Sequence, residues 1–171
     1  MPLEIFIAAL LTYALAAAQE LRDGRIPNLF CAAIALIGLY RWFWPVIMHS
    51  PPDAWITAAW AVGVTILAFV LGTLAFSQGW IGGGAIKLMT ASILLLGAPY
   101  APGLVFLMLL MGAIVGGLFF MAARFGWAWE IGAPAARGTG GAVPRRSLKI
   151  PYGLAIALSA AILLTLQYRG G

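Results

Sequence analysis

Residues 54–76 and 103–123 contain no Asp, Glu, Lys or Arg. A soluble domain of this size cannot hide such stretches, and as a helix each is long enough to cross the roughly 30 Å hydrocarbon core of a bilayer. Composition agrees. Of 171 residues 63% are hydrophobic and 9% charged, with a mean hydropathy of +1.00. Further apolar segments lie at 3–19, 29–48, 86–98 and 151–168. The expected fold is an all-α membrane protein: a bundle of about six transmembrane helices, one domain over residues 1–171 with no soluble part. The segment 86–98 rises only about 20 Å as a helix. It must therefore be shielded by neighbours, extended by its flanks, or enter the membrane partially. Pro99 and Pro102 bracket a tight turn after it, so 86–123 reads as a helical hairpin. Glu4 in the first turn, with no Lys or Arg before it, argues for a retained first helix rather than a cleaved signal.

The cations sort by side. Of the 10 Lys and Arg, only Arg41 and Arg169 fall outside the loops that follow the first, third and fifth segments. Those loops hold Arg22, Arg25, Lys87, Arg124, Arg137, Arg145, Arg146 and Lys149, which places them in the cytoplasm and both termini outside. Tyr40, Trp42, Trp44, Trp55 and Tyr100 mark the outer boundary, and Trp80, Trp127, Trp129 and Tyr152 the inner one. Sidedness thus accounts for the basic balance, and no nucleic-acid partner is expected. Rich in Gly, Ala and Arg, the loop 124–150 is expected to be mobile and to meet anionic lipid. The lone Cys31 excludes an internal disulfide and reads as inert packing. His49 has no companion ligands, so neither a metal nor another cofactor is expected. Gly112 and Gly116, with Ala113 and Gly117, form a small-residue face suited to helix packing.

Two inner-face stretches are too polar for routine connectors. In "QELRDGRIPN" (19–28) Pro27 and Asn28 restart a helix, with Asn28 a possible cap. Glu20 falls at the carbonyl end of its own helix, an unfavourable place for an acid. It needs a cation such as Arg22 or Arg25, or a functional reason. In "WIGGGAIK" (80–87) consecutive glycines allow close backbone approach and an anion-binding nest. The stretch is not a phosphate-binding Walker loop, since no Ser or Thr follows Lys87. By itself it fits a flexible interfacial hinge with a snorkelling lysine better than a site.

Together the stretches resemble the type IV prepilin peptidases, in the short single-domain form that serves tight-adherence (Flp-type) pili. That family carries an Asp-x-x-x-x-x-Ile-Pro-Asn-like motif after its first core helix and Gly-x-Gly-Asp-x-Lys before its fourth. "ELRDGRIPN" (20–28) and "GGGAIK" (82–87) match in spacing, and "IPYGLAIA" (150–157) looks like the family's Pro-Tyr-Gly segment. The resemblance covers nearly the whole chain. The chain has no paired cysteines for the methyltransferase region of longer members. The resemblance implies an intramembrane aspartyl endopeptidase of the bacterial inner membrane, which removes the leader peptide of a prepilin at the cytoplasmic face. Its partners would be that leader and the apolar helix behind it. Catalytic slots fall on Glu20 and Ala85, with Gly82, Gly83, Gly84, Lys87, Pro27 and Asn28 binding substrate or supporting the site.

Both slots depart from the pattern, which has Asp in each. Acid-pair hydrolysis needs one carboxylate to take a proton from water while a protonated partner polarises the carbonyl. Glutamate displaces its oxygens by a methylene, and alanine offers no proton at all. Losing one member of such a unit can remove nearly the whole effect, on the order of a million-fold. Asp23, three residues on, does not fit the first slot. The chain is therefore expected to be inactive, either as a peptidase altered at its slots or as a natural non-catalytic relative that binds leaders. A small carrier or lipid-binding protein also suits six helices and a basic inner face, although the spans hold almost no polar residue to line a path.

Overall fold

The computed structural model describes residues 2–49, 53–79, 81–124 and 152–170. Six α-helices follow one another: α1 (Leu3–Asp23), α2 (Asn28–His49), α3 (Ala54–Ser77), α4 (Gly83–Leu96), α5 (Ala101–Arg124) and α6 (Tyr152–Gly170). A single 3₁₀ turn, Ala98–Tyr100, joins α4 to α5, and no strand occurs among the described residues. All but α4 are long and apolar enough to cross a membrane. Large apolar side chains such as Leu15, Trp60, Leu71, Phe106 and Leu118 lie exposed on the outside of the bundle, where lipid replaces water as solvent. The expected loop 124–150, with its mobility, its lipid contact and the residues Trp127, Trp129, Arg137, Arg145, Arg146 and Lys149, lies outside the described residues apart from Arg124. So do Trp80 and Gly171.

The short α4 is the centre of the bundle. It packs against α2, α3 and α6, while α1 lies on α6 and α2, and α5 lies on α6. From Ala85 to Leu96 every residue except Lys87 is buried. Of the three ways to accommodate this segment, the structure uses shielding by neighbours. A buried helix end must still satisfy its last four carbonyls. Those of α4 are all met: Ile93 O by the Gly97 N–H (2.8 Å), Leu94 O by Trp42 Nε1 (2.7 Å), Leu95 O by Arg41 Nη1 (2.8 Å) and Leu96 O by Gln167 Nε2 (3.4 Å). Arg41 also donates to Gln167 Oε1 at 2.9 Å, so α2 and α6 close over the end of α4 together. Its charge suits the negative end of the helix dipole. Gly97 turns the chain at φ +93°, and a Cβ there would lie 2.4 Å from the Trp42 ring.

The closest approaches to α4 occur at Gly38 of α2, where a Cβ would meet the Leu95 backbone at 2.9 Å, and at Gly72 of α3, 2.7 Å from Ile86 Cγ2. The small-residue face of α5 is looser than expected. A Cβ at Gly112 would be 3.6 Å from the Tyr152 ring, and one at Gly117 would meet nothing within 4 Å.

Candidate functional site

The C-terminal end of α1 and the N-terminal ends of α2, α4 and α6 come together through the side chains of two connecting turns. α1 stops at Asp23 because Gly24 takes the left-handed conformation (φ 64°), its N–H closing on Glu20 O at 2.8 Å. Pro27 has no N–H to lose, and its carbonyl accepts from the Phe30 N–H at 3.2 Å as α2 begins. Asn28, expected as a cap, is instead the first residue of α2. Its Oδ1 accepts from Lys87 Nζ at 3.0 Å. The two motif stretches are thereby joined across 59 residues of sequence.

Glu20 does not turn to a cation. Its Oε1 accepts from the Gly153 N–H at 2.9 Å and its Oε2 from the Leu154 N–H at 2.8 Å. The acid that is misplaced at the carbonyl end of α1 lies at the positive N-terminal end of α6, where two unpaired amides suit it. Asp23, the other acid of the stretch, is exposed and accepts from Gln19 Nε2.

Gly82 is the extended residue before α4 (ψ 143°), and Gly83 and Gly84 form its first turn rather than a bare loop. The Ala85 and Ile86 N–H groups both reach Gly82 O, at 3.0 and 3.2 Å. Ala85 is buried (6% exposed), whereas the lysine two residues on is exposed and marks the rim. Cys31 is buried, with Sγ 3.9 Å from Gly84 O, which agrees with a packing role.

Ile26 ties these pieces together. A Cβ at Gly84 would stand 3.3 Å from Ile26 Cβ, and one at Gly153 would stand 2.5 Å from Ile26 Cδ1 and 2.8 Å from Glu20 Oε2. One side chain of the first motif therefore wedges against the first turns of both α4 and α6. Sequence reasoning passed over Ile26. Its signal was its place as the first residue of the Ile-Pro-Asn segment, which gives no packing role, and the reason for Gly153 could not be read without the Glu20 contact. Beside the site, Asn28, Ala32, Ala35, Thr65, Phe69, Lys87 and Ala91 line a groove of about 330 Å³ formed by α2, α3 and α4. Chemically the site offers one carboxylate with both oxygens engaged, one ammonium, and glycine backbone that a peptide can approach closely. Among the described residues no group of His, Cys, Asp and Glu is arranged to hold a metal ion.

A model of the type IV leader peptidase family matches residues 5–117, from α1 into α5, a span that includes both motif stretches. No curated protein and no solved structure matches the chain.

Proposed function

The chain belongs to the type IV leader peptidase family, and from that premise we propose that it is the inactive form of an inner-membrane aspartyl endopeptidase that removes the leader of Flp-type prepilins. The observation that carries this reading is the joining of the two motif stretches. Lys87 bonds Asn28, and Ile26 wedges against Gly84 at one end of the bundle. In the reaction, water would attack the scissile carbonyl as one carboxylate takes its proton and the protonated partner hydrogen-bonds the carbonyl oxygen. The C–N bond then breaks as the leaving amine receives that proton. Positions 20 and 85 would supply the two acids. The apolar helix of the substrate would lie against α2, α3 and α4 with side chains in their groove, and Lys87 at its end would meet acidic or carbonyl groups near the bond. Glycine backbone at the start of α4 pairs with the extended leader.

As it stands the chain lacks both requirements. Ala85 has no proton to give, and the oxygens of Glu20 are bonded to α6. The second observation favours a non-catalytic binder as the runner-up, since an acid committed to capping a helix is serving structure. Restoration separates the two. Glu20→Asp withdraws the carboxylate by one methylene from the α6 amides, and Ala85→Asp returns the partner. Co-expressed with the cognate prepilin, the double variant is expected to shift the prepilin to the mature size on a gel. Ala85→Asp alone gives partial cleavage, and Glu20→Asp alone gives none, because one acid cannot act as both base and donor. A folded double variant that binds the prepilin and leaves it uncut establishes the binder instead.

A further inference from the structure

Inside the bundle the Tyr13 hydroxyl donates to Ser92 Oγ at 2.7 Å, and Ser92 in turn donates to Leu88 O at 2.7 Å. Tyr13 is 2% exposed and Ser92 0%, and in this apolar core Ser92 Oγ is the partner of the Tyr13 hydroxyl. Burying the phenol without a partner is costly, which makes the contact directional and hard to slip. Its place along the helices is what connects it with the site. Glu20 lies seven residues beyond Tyr13 on α1, and Ala85 lies seven before Ser92 on α4. α1 ends at the site and α4 begins there, so both steps run toward the same end of the bundle. Seven residues rise about 10.5 Å and return within about 20° of the same helix face. Positions 20 and 85 therefore lie the same number of residues from this hydrogen bond, toward the same end of the bundle, each near the helix face that carries Tyr13 or Ser92. On α1 the buried stripe is Ile5, Ala9, Tyr13, Ala16 and Ala17, which Glu20 continues at helical spacing.

We propose that Tyr13 and Ser92 are a positioning pair that sets the axial register of α1 against α4, and with it the separation of the side chains at 20 and 85. As a statement about catalysis this rests on the two-acid reading above. As a statement about geometry it does not. A one-turn slip of α1 would move Glu20 by about 5.4 Å relative to Ala85 and leave the Tyr13 hydroxyl unpaired, while Ser92 keeps its bond to Leu88 O.

The test uses the full chain in membranes with Cys31→Ser. Glu20→Cys and Ala85→Cys are joined by a short bifunctional thiol reagent, and Glu20→Cys with Met89→Cys, one turn deeper, is the offset control. The aligned pair is expected to cross-link about fivefold more than the offset pair. Tyr13→Phe, which removes one oxygen and keeps the ring, should lower the aligned yield by a similar factor of about five. Ser92→Thr keeps a hydroxyl and should preserve it. In the acid-restored chain Tyr13→Phe should lower kcat about tenfold with KM unchanged, because remote binding is untouched while the acids lose alignment. An aligned yield indifferent to Tyr13→Phe overturns the positioning role and leaves the two-acid reading standing. No linking of 20 to 85 in either background overturns both. Linking that depends on Tyr13, in a restored chain that does not cleave, upholds the register and overturns the peptidase reading.

Discussion

At position 153 a methyl group requires its neighbours to move, since a Cβ would lie 2.5 Å from Ile26 Cδ1 and 2.8 Å from a Glu20 oxygen. Glycine there lets the first turn of α6 come close enough for Glu20 to accept two backbone N–H groups. Gly153→Ala must push Ile26 and Glu20 aside together, and the expected cost is about 1–3 kcal/mol. Thermal unfolding in detergent reads this as a lowered Tm. Glu20→Gln keeps the shape but sets an NH2 donor against one of the two amides. Its expected loss is about 1–3 kcal/mol, the range for a buried donor left without its acceptor. If Glu20→Gln matches the parent in Tm, the cap contributes nothing and Gly153 must be explained by Ile26 alone. The sequence showed that an acid at this place needs a counterpart. It could not show which, because the counterpart is backbone 133 residues away and backbone amides leave no mark in sequence.

Among the elements, α4 is the one whose existence poses a physical problem, because it is short and ends inside the bundle. Its solution is a set of side chains from two other helices. Arg41 and Trp42 of α2 and Gln167 of α6 take up the Leu94, Leu95 and Leu96 carbonyls. Arg41 stands over the Trp42 ring at 5.0 Å as well, which holds the guanidinium in place. Arg41→Met keeps the apolar stem and orphans both Leu95 O and Gln167 Oε1. The expected destabilisation is about 2–4 kcal/mol, the greater part from buried acceptors left bare. The measurement is denaturant unfolding in micelles, with Arg41→Lys expected to fall between the two. An Arg41→Met protein as stable as the parent would mean that another donor moves in. In the sequence Arg41 reads only as one of two cations on the wrong side of a charge pattern, and Gln167 as nothing in particular. The six helices themselves were legible, because long uncharged runs can hardly be anything else. Their ends were less so: α4 begins at Gly83, inside what reads as a glycine hinge, since glycine is a poor helix former whose placement here is decided by packing against Ile26 and Phe76.

For the molecule as a whole, the site lies at the end of the bundle where α1 finishes and α2, α4 and α6 begin, and the side of the membrane on which that end sits decides which substrates can reach it. Charge in the described turns gives the direction. Arg22, Arg25 and Lys87 cluster at this end. At the other end Arg41 is turned inward onto the carbonyls of α4, so it adds little to the surface charge that directs insertion. Arg169 remains there as the exposed cation. By the positive-inside rule Glu20, Gly82 and Lys87 are expected on the cytoplasmic side, the side from which the proposed leader would reach them. The expectation is tested with single cysteines in a Cys31→Ser background, treated in intact cells with a thiol reagent that does not cross membranes. Asp53→Cys, at the exposed start of α3, should label without permeabilisation. Gln78→Cys, at the exposed end of the same helix, should label only after it. α3 is the most apolar of the spans after α5 and has no charge along its length, so its two ends must lie on opposite sides and the pair is internally controlled. Labelling of Gln78→Cys in intact cells would turn the site outward and remove cytoplasmic leaders from its reach, leaving the groove beside Lys87 to ligands that approach from the other face.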